Sequence, residues 1–339
     1  MRKRNSLGLL MVLGLLTSCF KEDEQVIPVS PGDVSEVVVE MMPDYSLQTY
    51  LKLSEGTVVS TNSKDSWDMG LTCAEDDYTL VLNTARFISI AHTGSDVFEV
   101  NYTTEGFEWT FDSSDGNPQL NAVGKWWEET PDGPVSLNEV LLVDRGLNAE
   151  GLPAGYLKIQ PSIDPATGKV HVRIAKLNGA DERTFEFTRQ EGLELVVMSF
   201  DTGQPESQPV PPAESWDLLF TQYTTMLFTD EGEEYPYLVT GVLINDTLVS
   251  AVMDSLTPFE QIDREVAESR VLSTRQDVIG YEWKRLKGDV TSGDVTYEVI
   301  PEMVYIIKNT DGFYFKLRFV DFYDNQGRKG YPKFEYQRL

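Results

Sequence analysis

The chain has 339 residues, of which 55 are acidic and 28 are basic, giving a formal net charge of −27 at neutral pH. Such an acidic surface repels phosphate backbones, so the composition excludes nucleic acid as a partner. With two cysteines and two histidines, the chain offers neither a disulfide framework nor a Cys/His zinc site, and it contains no phosphate-binding glycine loop or Gly-x-Ser-x-Gly elbow. We therefore expect a binding protein rather than an enzyme, with room for two domains.

The first predicted element is an export signal. Arg2-Lys3-Arg4 precedes an apolar run from Leu7 to Leu16, and Thr17-Ser18-Cys19 follows. The run is about half the roughly 20 residues that a membrane-spanning helix needs, so cleavage is favoured over retention. We predict a lipoprotein signal peptide over residues 1–18, acylation of Cys19, and a lipid anchor with a flexible tether over residues 19–43. An ordinary signal peptide is the alternative.

The residues after the predicted cleavage site bear on localisation. Residues 1–18 hold three of the 28 basic residues and none of the 55 acidic ones, so the mature chain carries a formal charge of −30. The segment Phe20-Lys21-Glu22-Asp23-Glu24 resembles the Lys-plus-acidic signal of Bacteroidota lipoproteins that are displayed on the outer face of the outer membrane. We expect a lipid-anchored outer-membrane protein exposed at the cell surface, with a merely solvated tether as the alternative.

A sequence unit recurs along the chain. Ser66–Leu71 reads SWDMGL and Ser215–Phe220 reads SWDLLF, 149 positions later. Further landmarks keep the same order, namely Val123–Trp127 with Ile279–Trp283, Tyr156 with Tyr305, and Phe185–Arg189 with Phe334–Arg338. We predict two related domains at residues 44–190 and 193–339, joined at Gln190–Gly192.

Alternating apolar residues predict β-strands with one buried face. Phe315, Leu317 and Phe319 alternate with polar residues, and Val170, Val172 and Ile174 do the same in the first unit. Glycine-containing turn signals separate such runs at hairpin distances. The predicted fold class is therefore all-β, as two tandem antiparallel β-rich domains of related fold.

One short helix is predicted, in the second unit only. Thr257 would cap it, Pro258 would occupy its first position, and Glu260 would complete a capping box. The apolar stripe of this helix would consist of Phe259, Ile262 and Val266.

Four short motifs stand in the second unit, namely Trp216–Phe220, Tyr237–Leu243, Ile279–Trp283 and Lys316–Tyr323. Together they resemble the HmuY-like haem-binding lipoproteins of Bacteroidota. The first unit looks like a more divergent copy, through Leu53–Val59 and Trp67–Met69. The resemblance implies an all-β, surface-anchored haemophore that holds haem between two axial side chains and passes it to a TonB-dependent outer-membrane receptor.

The resemblance also implies where axial ligands would be sought. The family's best-known member uses two histidines, one of them a few residues after the Gly-Trp strand, where this chain has Asp132 and Gly288. Some relatives ligate through methionine. The candidate axial ligands of the haem iron are therefore His92, His171, Met226 and Met253. Each has an ordinary alternative, because strand histidines are commonly solvated and strand methionines commonly fill cores.

We predict binding of a ligand without turnover, with haem or a related tetrapyrrole as the ligand that the resemblance implies. Haem carries two propionates, so a local positive group would be needed on this acidic surface. Two basic groups could provide it, namely Lys284, Arg285 and Lys287, and Arg328, Lys329 and Lys333. The alternatives are an interaction or adhesion module of the same fold without haem binding, and a glycan-binding envelope protein.

Overall fold

The computed structural model describes residues 31–74, 76–148, 150–203, 208–289 and 294–339. The predicted signal peptide, the predicted acylation of Cys19 and the charged segment Phe20–Glu24 lie outside these ranges. Among the described residues, no helix combines the length and the apolar character needed to cross a membrane.

Short antiparallel strands make up the first half of the chain. They are β1 (Ser35–Val38), β2 (Leu47–Lys52), β3 (Thr57–Ser63), β4 (Met69–Thr72), β5 (Leu80–Leu82), β6 (Ser89–His92), β7 (Trp127–Thr130), β8 (Gly133–Ser136), β9 (Leu141–Asp144), β10 (Tyr156–Ile163), β11 (Val170–Ala175) and β12 (Arg183–Phe187). Two 3₁₀ turns lie at Thr84–Arg86 and Pro118–Leu120.

Longer strands occur in the second half. They are β13 (Leu195–Met198), β14 (Leu218–Phe228), β15 (Glu234–Ile244), β16 (Ser250–Asp254), β17 (Lys284–Asp289), β18 (Asp294–Val299), β19 (Val304–Lys308), β20 (Tyr314–Tyr323) and β21 (Lys329–Arg338). The helical segments are 3₁₀ turns at Ala213–Ser215 and Phe259–Gln261 and one α-helix, α1 (Arg264–Glu268).

The strands form two five-stranded sheets and four smaller ones. The five-stranded sheets have the orders β12-β11-β10-β9-β6 and β1-β21-β20-β19-β16. The smaller sheets are β13-β4-β5, β15-β14-β2-β3, β17-β18 and β7-β8. All strand pairings within the described ranges are antiparallel. The all-β prediction is confirmed.

The predicted strand faces agree with the observed burial. Val170, Val172 and Ile174 on β11 are at most 1% exposed, as expected for one buried face of a sheet. Phe315, Leu317 and Phe319 on β20 are likewise buried. Lys316, expected on the solvent side, is only 4% exposed, because β20 is covered on both faces.

The predicted helix starts later than expected. Thr257 precedes a 3₁₀ turn at Phe259–Gln261 and caps no α-helix. The N-cap of α1 is Asp263, whose carboxylate accepts a hydrogen bond from the Val266 amide at 2.9 Å. Asp263 therefore takes the role that the sequence pattern assigned to Thr257.

The break between the 3₁₀ turn and α1 has a physical cause. The buried Lys316 ammonium group donates to the carbonyl oxygens of Phe259 and Ile262, at 2.7 and 2.8 Å. A charged donor competes well for carbonyls that a continuous helix would use for its own hydrogen bonds. Ile262 accordingly has extended backbone angles, and the helix begins again only after it.

Strand pairing crosses the predicted boundary between the two domains. β2, from the first predicted domain, pairs with β14, and β13, from the second, pairs with β4. β1 pairs with β21, and Val39 and Met41 are at most 1% exposed, so the end of the predicted tether belongs to the folded body. Each half of the chain contributes a strand to a sheet of the other half, and residues 31–339 form one compact unit.

The two Trp-Asp motifs hold these exchanged strands in the same way. Asp68 accepts a hydrogen bond from the Phe200 amide, just after β13, at 2.7 Å. Asp217 accepts one from the Leu53 amide, just after β2, also at 2.7 Å. Both aspartates are fully buried. Each carboxylate thus fixes a strand from the other half of the chain.

The apolar cores follow the same arrangement. The first half and the second half each have a large core of their own, around Trp126 and Trp283 respectively. A third cluster joins them and contains both tryptophans of the recurring motif, Trp67 and Trp216, together with Tyr50 from β2. The junction between the halves is therefore packed like an interior rather than solvated like a linker.

Candidate functional site

A long β-hairpin forms one wall of the candidate site. β14 and β15 pair over 11 residues each, whereas β2 pairs only with the Leu218–Phe220 part of β14. The outer part of the hairpin is held instead by a hydrogen bond from the Thr224 hydroxyl to the Thr84 carbonyl at 2.8 Å. Met226 lies on this outer part and is 38% exposed.

The facing wall is a segment of the loop after β6. Thr110 and Ile90 exchange backbone hydrogen bonds of 2.8 and 2.9 Å, which fixes Trp109 and Phe111 beside β6. The next residue, Asp112, is buried and accepts hydrogen bonds from two backbone amides at 2.7 and 2.8 Å. Burial raises the pKa of Asp112 to about 6. The segment is therefore fixed by backbone bonds on either side of its aromatic residues.

A cleft of about 420 Å³ lies between these walls, and we call it the aromatic cleft, defined by Trp109, Phe111, Leu120 and Met226. A recess of about 250 Å³ on the other side of Trp109 and Phe111 reaches Tyr156. The rings of Trp109 and Tyr156 have their centroids 5.8 Å apart. Aromatic walls with one thioether suit a flat apolar ligand.

A second cleft of about 250 Å³ adjoins the first, and we call it the tyrosine cleft, defined by Tyr223, Tyr281, Tyr305 and Met253. The two clefts share three lining residues, Thr225, Arg275 and Asp277. A single ligand could therefore contact both.

Arg275 supplies the positive charge at this boundary, as the one Lys or Arg among the residues that line either cleft. Its Nε and Nη2 lie 3.2 and 3.3 Å from the two carboxylate oxygens of Asp277. Asp277 also accepts a hydrogen bond from the Ser114 hydroxyl at 2.7 Å, which ties the first-half loop to the second half. The Arg275 side chain is 64% exposed, so it can meet a ligand as well as Asp277.

Tyr305, which lines the tyrosine cleft, has a hydrogen-bonding group that no described residue uses. The residue is 1% exposed, and its hydroxyl has no partner among the described residues. Burial raises the pKa of Tyr305, and also that of Tyr223, so both hydroxyls stay protonated donors at neutral pH. An unpaired buried hydroxyl costs on the order of 1–3 kcal/mol, which a partner in the cleft would offset.

The structure separates the four predicted iron ligands. Met226 lines the aromatic cleft and Met253 lines the tyrosine cleft. His92 on β6 and His171 on β11 line neither. No two of the four share a cleft.

The two histidines are also occupied elsewhere. Both ring nitrogens of His92 lie 3.0 Å from acceptors, the Glu139 carboxylate and the Ala122 carbonyl. His171 lies 3.2 Å from Glu186 on the neighbouring strand. Because β9 and β10 lie between β6 and β11, the two histidine-bearing strands are about 14 Å apart. The described ranges also contain no group of three or more His, Cys, Asp or Glu that could hold a metal ion.

None of the residues of the two predicted basic groups lines either cleft. Lys284 is buried, and its ammonium group donates to the Thr240 carbonyl. Four of the remaining residues form ion pairs, namely Arg285 and Lys287 with Glu298, Arg328 with Asp324, and Lys333 with Glu36.

Sequence reasoning missed most of the residues that build the clefts. Trp109 and Phe111 alternate with polar residues, and this short alternation of large aromatic residues was the available clue. Arg275 and Tyr305 gave no signal, because only the folded chain brings them to one place. Of the predicted candidates, Met226 is the one that lies beside tryptophan and phenylalanine.

The fold and the clefts define an all-β protein with a ligand-sized groove at the meeting point of its two halves. The chain belongs to the HmuY family, whose model, described as HmuY protein, matches residues 44–336. No curated protein matches the chain.

Solved structures with similarity to the chain include three from Porphyromonas, Tannerella and Bacteroides species. Apo PinO from Porphyromonas gingivitis is 11% identical, with 91% of this chain and 97% of that chain covered and a TM-score of 0.28. The apo HmuY analog TFO from Tannerella forsythia is 10% identical, with 92% and 99% covered and a TM-score of 0.22. An HmuY-like haem-binding protein from Bacteroides vulgatus is 16% identical, with 52% and 84% covered and a TM-score of 0.17.

Proposed function

We propose that this chain is a surface-exposed outer-membrane lipoprotein that captures haem or a related tetrapyrrole and passes it unchanged to a TonB-dependent receptor. Membership of the HmuY family supports the ligand class. The order of basic residues, apolar run and Thr17-Ser18-Cys19 supports the lipid anchor.

The lipid anchor has a direct test in cells. Since acylation requires the Cys19 thiol, Cys19→Ala should abolish incorporation of radiolabelled palmitate and release the protein from the membrane fraction. Cys73→Ala is the matched control and should leave labelling unchanged. Labelling that survives Cys19→Ala would contradict the anchor.

We place the haem in the aromatic cleft, and the observation that carries this choice is that Met226 lines it together with Trp109 and Phe111. The residues that line this cleft fit haem with one sulfur ligand. The rings of Trp109 and Phe111 could face the macrocycle, and Arg275 could pair with a propionate. Bound haem supplies an iron with axial positions that accept a thioether. The described residues of this cleft offer no histidine, so the proposed site differs from a two-histidine site.

Electrostatics favours the same position for the anionic edge of the ligand. The mature chain carries a formal charge of −30, which opposes binding of two propionates. Arg275 lies where the two clefts meet, and the other candidate cations are buried or do not line these clefts. Arg275 is the one cation that lines the two clefts, where Asp115, Asp277 and Glu282 accompany it, so we expect a propionate to be directed at Arg275.

The test is titration of haemin into the mature protein, followed by its Soret absorption. Wild type should shift the Soret band, and Met226→Leu should lose the spectral signature of sulfur ligation, because leucine keeps the apolar volume without a donor. Met226→His should restore ligation with an altered spectrum.

Three variants serve as controls for the position of the iron. Met253→Leu, His92→Ala and His171→Ala should leave the spectrum as in wild type. A signature that survives Met226→Leu and disappears in Met253→Leu would place the iron in the tyrosine cleft instead. Absence of any shift in wild type would contradict haem binding.

An interaction module is the second candidate, and the exposed hairpin favours it. Phe228 and Tyr237 are 62% and 53% exposed, and Tyr235 packs edge-on against Tyr237. Exposed aromatic groups of this kind commonly mark partner-binding surfaces. If the protein bound no tetrapyrrole, this exposed aromatic surface of the hairpin would be the candidate functional site.

A further inference from the structure

The tyrosine cleft has hydrogen-bonding capacity that the ring of a tetrapyrrole would not use. Tyr305, whose hydroxyl is buried and has no partner among the described residues, lines this cleft together with Tyr223. Both hydroxyls can donate, and neither tyrosine lines the aromatic cleft. We therefore expect the part of the ligand that enters this cleft to carry a hydrogen-bond acceptor rather than more apolar surface.

The charges around the cleft define the class of that acceptor. Arg275 borders it, and its pairing with Asp277 leaves the guanidinium largely exposed. Two carboxylates, Glu282 and Asp277, also line the cleft and oppose an anion there, Asp277 being the one that pairs with Arg275. Two hydroxyl donors and one guanidinium suit a carboxylate, which is planar and accepts several hydrogen bonds at once.

The volumes of the two clefts indicate which part of a ligand each cleft could hold. The tyrosine cleft, at about 250 Å³, is smaller than the aromatic cleft, at about 420 Å³. The two meet at Thr225 and Arg275. A ligand with a flat body and a short carboxylate arm could fill the larger space with its body and reach the smaller one with the arm.

We propose that the tyrosine cleft is a carboxylate subsite, in which Tyr305, Tyr223 and Arg275 receive one propionate of the tetrapyrrole whose ring lies in the aromatic cleft. This inference rests on the proposed function, since it assumes that the ring occupies the aromatic cleft. It assigns selectivity for acid over ester forms of the ligand to residues that do not touch the iron.

The experiment compares protoporphyrin IX with its dimethyl ester on the full mature chain, with affinity measured by quenching of tryptophan fluorescence. The metal-free ring removes any contribution from iron ligation. Wild type should bind the acid more tightly than the ester. Tyr305→Phe should weaken binding of the acid about tenfold, the effect of losing one hydrogen bond to a charged group, and leave the ester unchanged.

Further variants separate recognition from folding. Arg275→Gln changes an exposed side chain and should also weaken the acid selectively. Glu282→Gln should tighten binding of the acid, because it removes the opposing charge. Tyr45→Phe is the matched control: it deletes a buried tyrosine hydroxyl outside both clefts and should change neither affinity.

The outcomes distinguish this inference from the proposed function. If wild type binds both porphyrins and Tyr305→Phe binds the acid as tightly as wild type, the subsite is wrong while the haem proposal stands. If Tyr305→Phe weakens acid and ester equally, the tyrosine only supports packing, and the subsite is again wrong. If wild type binds neither porphyrin, the proposed function itself fails.

Discussion

Three buried lysines of this acidic protein donate to backbone carbonyls and have no carboxylate in ion-pair distance among the described residues. Lys158, Lys284 and Lys316 are at most 8% exposed, and each donates to backbone carbonyl oxygens instead. Each ammonium group also lies within 5 Å of an aromatic ring centroid. Alternation along β20 predicted solvent exposure for Lys316, and Lys284 was predicted as part of a basic surface group. The segments that cover these lysines are distant from them in sequence, so local alternation does not reveal them.

Lys284 should make stability depend on pH. Burial lowers the pKa of Lys284 to about 7, from its ordinary value of 10.5. Between these values the unfolded chain binds the extra proton and the folded chain does not, so the free energy of unfolding rises with pH over this window. Lys284→Met removes the effect. The free energy of unfolding of the variant minus that of wild type should be about 2–3 kcal/mol larger at pH 6 than at pH 9, as measured by urea denaturation.

The control for Lys284 is a lysine at the surface of the same strand. Lys287→Met changes an exposed side chain that faces Glu298 at 3.5 Å, and its difference from wild type should stay small at both pH values. A pH-independent difference for Lys284→Met would show that the ammonium group stays charged in the folded protein.

At the level of elements, the sequence predicted strands well. It predicted less well which strand of the first half corresponds to which strand of the second half. Lys158 on β10 and Lys316 on β20 both lie on the third strand of a five-stranded sheet and under a phenylalanine ring. The matched landmarks Phe185 and Phe334 lie instead on β12 and β21, which occupy different positions in their sheets. Apolar alternation repeats every two residues, so several alignments of two strands look equally good in sequence.

The clefts show a second limit of sequence reasoning at this scale. The aromatic cleft lies between a loop after β6 and a hairpin more than 100 residues later. Short-range patterns predicted strands such as β11 and β20 with their buried faces, because both follow from local periodicity. The meeting of Trp109 with Met226 follows from how the halves pack, so Met226 was predicted only as a candidate ligand and Trp109 not at all.

At the scale of the whole molecule, we propose that the two halves arose from one duplicated unit whose copies exchange a strand. The five-stranded sheets have corresponding orders, with β6, β9, β10 and β11 matched by β16, β19, β20 and β21. In both halves an asparagine side chain, Asn83 or Asn245, donates to the carbonyl of the motif tryptophan. Such matching detail supports a common origin for the two halves.

Exchange of strands makes the halves depend on each other for folding. Removing β2 would open the sheet of the second half, and removing β13 would open that of the first. The shared cluster around Trp67 and Trp216 adds buried apolar contact between them. Two halves joined in this way should unfold as one cooperative unit, unlike domains connected by a solvated linker.

This cooperativity can be measured by hydrogen exchange with mass spectrometry in increasing urea. Peptides from β10 and from β20 should lose protection at the same urea concentration. Asp68→Asn and Asp217→Asn each leave a buried donor facing a backbone amide, so each should lower stability by at least about 1–3 kcal/mol and shift both sets of peptides together. Asp230→Asn, in the exposed hairpin turn, should shift neither set. If Asp217→Asn released β20 and left β10 protected, the exchanged strands would not couple the halves, and each would have to hold its own fold.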